Sequence, residues 1–154
     1  KQSLKSIEAE IKAVVQQRDA VQRNYQLLLT VPGIGHLTAV YLICCTANFA
    51  GKPSGKQLAS YAGVVPFAHS SGSSIKGRNK VHPMANKTLK KMLHLGALSC
   101  IKNYTEFQDY YLRKKGEGKH PMAILNAVRN KLILRAAAVI KHQKPYEDKV
   151  PIAA

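Results

Sequence analysis

The chain has no tryptophan, and aromatic residues make up only 6% of its 154 positions, so its core has to be built from aliphatic side chains and alanine. That material favours helices over a β-sandwich. Long apolar runs are absent too. None reaches the roughly 18 residues that a membrane-spanning helix needs. Cysteine is sparse, and Cys44, Cys45 and Cys100 form neither a CxxC pair nor a Cys–His spacing of the zinc type. They read as buried free thiols of a protein kept in a reducing cytoplasm, and no metal is expected on them. The most telling scarcity is of acid. Eight Asp and Glu stand against 24 Lys and Arg, for a net charge of +16.

The distribution of that charge says more than its total. Between Asp19 and Glu106 there is no acidic residue, while the same interval holds ten Lys or Arg. Solvated surfaces ordinarily mix both signs, because a one-sign field repels itself and attracts polyanions. An acid-free centre therefore points to a phosphate backbone as partner. The alternative is a basic domain that pairs with an acidic one elsewhere. The chain starts at Lys1 with no signal-peptide pattern, and is expected to be part of a longer protein.

The pattern along the chain is mainly α. Residues 1–29 read as one long coiled-coil-like helix, with Leu4, Ile7, Ile11, Val14, Val21, Tyr25 and Leu28 spaced by threes and fours and Arg18 interrupting the seam. A stripe this narrow suits packing within the chain or pairing with a second copy. Thr30-Val31-Pro32-Gly33-Ile34-Gly35-His36 then breaks the helix, and the apolar run 37–45 resumes as a buried helix. Helix, Pro-Gly-x-Gly turn and apolar helix match a helix-hairpin-helix motif, whose glycines let backbone N–H groups approach a phosphate. Gly33, Gly35 and His36 are the candidate contacts; a plain turn between two helices also uses glycine.

Ser54 is placed to cap a short helix through Tyr61 that ends at Ala62-Gly63. Residues 63–83 form one long irregular serine-rich loop with little apolar periodicity, possible ground for a short β-ribbon and long enough to suggest function. Helices are predicted over 85–102, over 106–115 with Thr105 as cap, and from Pro121 to about Gln143. The domains are then 1–29, a connecting helix; 30–146, a DNA-handling domain; and 147–154, a tail.

The loop carries the chemistry that the sequence offers. Ser70, Ser71, Ser73 and Ser74 precede Lys76, Arg78 and Lys80. A hydroxyl among cations suits phosphoryl transfer by a serine nucleophile, since the cations stabilise the phosphorane charge. It suits a passive phosphate-binding loop equally, and composition alone favours that reading, because no acid stands nearby to act as base or hold a metal. His69 and His82 bracket the loop and read as hydrogen-bonding or phosphate contacts. Lys87, Lys90 and Lys91 extend the cationic surface along the next helix, where a solvated face is the simpler account.

Taken in order, VPGIG with its apolar helix, GKQLASYAGVVP, SSG, KGRNK, NKTLKKMLHLGA and GKHPMAILNAVRNKLILRAAAVIKHQKPY resemble the C-terminal domain of the insertion sequence one-ten transposase family, Piv-like DEDD/serine recombinases. The resemblance covers roughly residues 28–146. It implies a DNA recombinase with a RuvC-like N-terminal domain, whose acidic tetrad holds Mg²⁺, and a C-terminal domain whose serine attacks DNA and becomes linked to it. By the family pattern, serine directly before glycine, Ser71 is that nucleophile, with Ser70 and Ser73 as neighbours in register. The family's Gly-Asn and Leu-Arg pairs stand here as Ala85-Asn86 and Leu89-Lys90, and lysine loses the bidentate grip of arginine. Some members use an element-encoded bridge RNA, which joins DNA, the RuvC-like domain and a second copy among the implied partners. Two further readings are a helix-hairpin-helix nucleic-acid-binding module without a nucleophile, and a purely structural dimerisation domain. The acid-free centre argues against the last.

Overall fold

The computed structural model of the chain describes residues 2–65, 70–71, 75–76 and 85–147. Among them are seven helices: α1 (Gln2–Gln16), α2 (Asp19–Leu29), α3 (His36–Cys45), α4 (Gly55–Tyr61), α5 (Lys87–Asn103), α6 (Thr105–Gly116) and α7 (Pro121–His142). Two short strands, β1 (Ser70–Ser71) and β2 (Ile75–Lys76), pair antiparallel with Ser71 opposite Ile75. The fold is mainly helical, and no described helix is long and apolar enough to cross a membrane.

Local signals explain most of the boundaries. Ser54 and Gln57 form a capping box, the Ser54 hydroxyl accepting from Gln57 N and the Gln57 side chain from Ser54 N, which starts α4. Asn86 caps α5 through Leu89 N at 2.8 Å. Pro121 opens α7, where its missing N–H costs nothing. At the end of α6, Gly118 takes φ +75°, so that Lys119 N reaches Lys114 O and Gly118 N reaches Lys115 O; this left-handed closure favours glycine. The cap predicted at Thr105 is displaced by one residue: Tyr104 holds the cap position, without a side-chain hydrogen bond.

The expected single helix over 1–29 is two. Arg18 is extended (φ −130°, ψ 109°), and the chain turns there so that α1 lies beside α2. The turn buries Val15 to 7% exposure and packs Ile11 and Val21 onto the core, whereas Leu4, Ile7 and Val14 face outward. Burying one such side chain contributes about 1.5–3 kcal/mol. A helical hydrogen bond given up at the break nets only about 0.5–1.5 kcal/mol. Burial therefore wins over helix continuity.

Helix α7 is the hub, packed against α2, α4, α5 and α6. Its Val128, Leu132, Ile133 and Ala136 are fully buried, with Leu28, Leu42, Leu89 and Leu93 among the side chains of the same core. Polar ties close the helix ends: Gln143 Nε2 donates to Asn24 Oδ1 at 3.0 Å, and Asn24 Nδ2 to Asn48 Oδ1 at 2.9 Å. The thiols are not uniformly buried as expected. Cys100 is buried, and its desolvation pushes the pKa to about 11; Cys45 is half-buried, and Cys44 at the end of α3 is exposed.

Candidate nucleic-acid interface

The turn between α2 and α3 divides its two glycines. Gly33 (φ +79°) faces inward: a methyl group on it would lie 2.6 Å from Cys100 Sγ and 2.9 Å from Gly96 O. It is a packing glycine, held against α5. Gly35 is exposed, has open space around it, and stands as N-cap of α3 with no side chain capping the first turn. Its neighbour His36 is exposed yet engaged, its Nδ1 hydrogen-bonded to the hydroxyl of Tyr25. Burial pushes the Tyr25 pKa up, which keeps the phenol protonated. His36 and Tyr25 line a cavity of about 240 Å³ with Lys12, Val15 and Gln22 of α1 and α2.

Of the serine-rich segment, the backbone places Ser71 in β1 and Lys76 in β2, with Ser70 opposite Lys76 across the ribbon. Arg78 and Lys80, like His69, His82, Ser73 and Ser74, lie outside the described residues. The two ends of the segment are well anchored. Before it, Val64 O accepts from Asn126 Nδ2 of α7 at 2.7 Å. After it, Asn86 N donates to Tyr61 O, and Asn86 Nδ2 donates to the hydroxyls of Tyr41 (3.0 Å) and Tyr61 (2.9 Å). Asn86 thereby joins α3, α4 and α5. Asn86→Ala removes the cap and the two side-chain bonds to the tyrosine hydroxyls together, and is expected to cost about 1–2 kcal/mol in a urea titration. A loss indistinguishable from zero would mean that the anchoring is immaterial.

The lysines of α5 separate by exposure. Lys87 and Lys91, four residues apart, are exposed, while Lys90 is half-buried and within the electrostatic reach of Arg129 on α7. Burial and the nearby Arg129 guanidinium push the Lys90 pKa down, and the same two causes lower that of His94, one turn further on. Arg129 itself is buried, its Nη2 2.7 Å from His94 Nδ1. Sequence reading missed both Arg129 and His94. The signal was present: Arg129 sits four residues after Leu125 and three before Leu132, on the apolar stripe of α7 where an arginine is out of place.

Residues 25–112 match the protein family described as Transposase IS116/IS110/IS902. The chain is 33% identical over 130 residues to a pilin gene-inverting protein of Moraxella lacunata, covering 82% of this chain and 40% of that protein. To the insertion element IS110 43.6 kDa protein of Streptomyces coelicolor it is 30% identical over 157 residues, covering 95% of this chain and 38% of the relative. To the transposase for insertion sequence element IS1111A of Coxiella burnetii it is 28% identical over 144 residues, covering 90% and 38%. The chain thus spans less than half the length of these relatives.

Proposed function

The chain belongs to the Transposase IS116/IS110/IS902 family, and from that membership we propose that it is the DNA-handling part of a transposase or DNA recombinase in which Ser71 is the nucleophile. The observation that carries this reading is the family match over residues 25–112, which encloses the glycine turn, Ser71 and the lysines of α5 together. The acid-free stretch between Asp19 and Glu106 agrees with it.

In the proposed step, Ser71 Oγ attacks the phosphorus of a DNA phosphodiester. A serine–phosphate ester forms, the bond to the leaving strand oxygen breaks, and the serine proton passes to that oxygen. Attack by a hydroxyl of the exchanging strand reverses the step and returns the proton, so strands are exchanged without oxidation or hydrolysis. Lys76, Arg78 and Lys80 stand close to Ser71 in sequence and supply positive charge to the phosphate. Gly35 and the uncapped first turn of α3 offer N–H groups to a second phosphate, as in a helix-hairpin-helix contact. Gly33, by contrast, supports that turn from inside.

Among the described residues no three His, Cys, Asp or Glu side chains converge. In this reading Mg²⁺ is held by a RuvC-like domain of the full-length protein, and the chain alone is inactive in strand exchange. The outward Leu4, Ile7 and Val14 of α1 suit pairing with a second copy. In the same reading an element-encoded bridge RNA shares the cationic surface with DNA.

The test uses the full-length protein with its element-end DNA, any element-encoded RNA and Mg²⁺, followed by a denaturing gel. Ser71→Ala is expected to abolish the covalent protein–DNA adduct while DNA binding persists; Ser70→Ala and Ser73→Ala retain it. An undiminished adduct in Ser71→Ala refutes the nucleophile assignment. No adduct from the unaltered protein under any condition leaves the non-catalytic binding module as the better account.

A further inference from the structure

Arg129 is 6% exposed, and among the described residues no carboxylate pairs with it; the ion pairs present there belong to Arg113, Lys114, Lys131 and Arg135. Its Nη2 contacts His94 Nδ1 at 2.7 Å and its Nη1 reaches Asn126 Oδ1 at 3.5 Å, while its Nε has no hydrogen-bond partner. A buried cation without an anion is expensive, and proteins retain one where a ligand supplies the missing charge. The neighbouring groups deepen the imbalance, because Lys90 and His94 on α5 can both become positive as well.

The position matters as much as the charge. Asn126, one turn before Arg129, holds Val64 O at the start of the serine-bearing segment. Asn86, one turn before Lys90, holds its end through Tyr61 and Tyr41. Both ends of the segment that carries Ser71 are therefore held by residues one helical turn from this cluster. On the exposed side of the same helix, Lys87 and Lys91 continue the cationic track.

We propose that Arg129, Lys90 and His94 form a pocket for one phosphodiester group of a nucleic-acid strand at the foot of the Ser71 segment. The inference rests on the nucleic-acid reading above and names the group within it that grips the phosphate. A phosphate suits the site because its oxygens accept from several directions. On binding, the unpartnered Nε–H, which is buried without ligand, and the guanidinium fork supply planar donors from α7, and Lys90 Nζ adds another from α5. His94 accepts from Arg129 at Nδ1, which leaves its Nε2–H to donate. Without ligand, burial and Arg129 hold His94 and Lys90 towards their neutral forms. An anion reverses that field, so binding takes up protons.

The 154-residue chain is titrated with a short oligodeoxynucleotide over a range of salt concentrations, unaltered and as Arg129→Met, Lys90→Met and, as control, the exposed Lys119→Met. Arg129→Met is expected to weaken binding about tenfold and to reduce the slope of log affinity against log salt by about one. Its melting temperature without ligand stays unchanged or rises, because an apolar side chain replaces an unpaired buried charge. Lys90→Met weakens binding in the same sense, and Lys119→Met leaves it unchanged. By NMR, the titration of His94 moves upward when the oligonucleotide or inorganic phosphate is added, and stays put in Arg129→Met. A shift with inorganic phosphate but no binding of nucleic acid would keep the pocket and refute the nucleic-acid reading. Strong binding by the unaltered chain with the same affinity and salt slope in Arg129→Met overturns the pocket alone. So does a His94 titration that neither probe moves, which would leave a carboxylate from another polypeptide as the missing partner.

Discussion

Gly96→Ala is expected to destabilise the chain by about 3 kcal/mol, or to prevent folding, although it raises helix propensity in the middle of α5. The added methyl group would lie 2.2 Å from Gly33 O, 3.2 Å from Gly33 C and 3.3 Å from Leu132 Cδ1. A side chain could swing away, but the nearest atoms belong to backbone. That backbone is the turn between α2 and α3, fixed on either side by Val31 and Ile34, both nearly fully buried. Relieving the clash means lifting the turn off α5, which opens the core around Leu132 and Cys100. In thermal melts the loss corresponds to roughly 10 °C for a domain of this size. A Gly96→Ala protein that melts with the unaltered one would show that α5 and the turn do not approach as described.

The second large effect is at Phe107, where substitution by alanine is expected to cost about 3–5 kcal/mol. Phe107 is 1% exposed and meets Tyr104 edge-to-face at 6.5 Å. Its ring is also a platform for Arg135, whose guanidinium lies 4.8 Å from the Phe107 centroid and 4.7 Å from that of Tyr146. The same arginine holds Glu106 at 2.6 and 2.9 Å. Tyr146 N in turn donates to Thr30 Oγ1 at 2.8 Å, so the stack ties α6 and α7 to the end of α2. Phe107→Ala should therefore lower the denaturation midpoint and speed amide exchange at residues 143–147. Phe107→Leu keeps apolar volume and should cost less than half as much. Equal costs for the two would mean that the ring's shape and its stacking on Arg135, rather than apolar volume, account for the whole loss.

Much of this was legible without coordinates because the signals are local. Ser54 at the start of α4 and Pro121 at the start of α7 each act within one turn of chain, and each boundary falls close to where those residues place it. The acid-free centre and the ordered motifs were likewise plain in the sequence, and the family match agrees with the membership they suggested. The break at Arg18 was not legible, since no residue there forbids a helix. It depends on what Val15 gains by turning onto α2.

The same division runs through the candidate site. Sequence by itself determined that the chain is mainly helical, strongly cationic across its centre and built on this family's motifs, because composition, caps and motif order are properties of neighbouring residues. Tertiary structure alone decided that Gly33 faces α5 while Gly35 faces outward, that His36 is engaged by Tyr25, and that Arg129 is buried beside His94 and Lys90. Those facts come from packing α7 against α5 and α5 against the turn, contacts between residues tens of positions apart that no local spacing encodes.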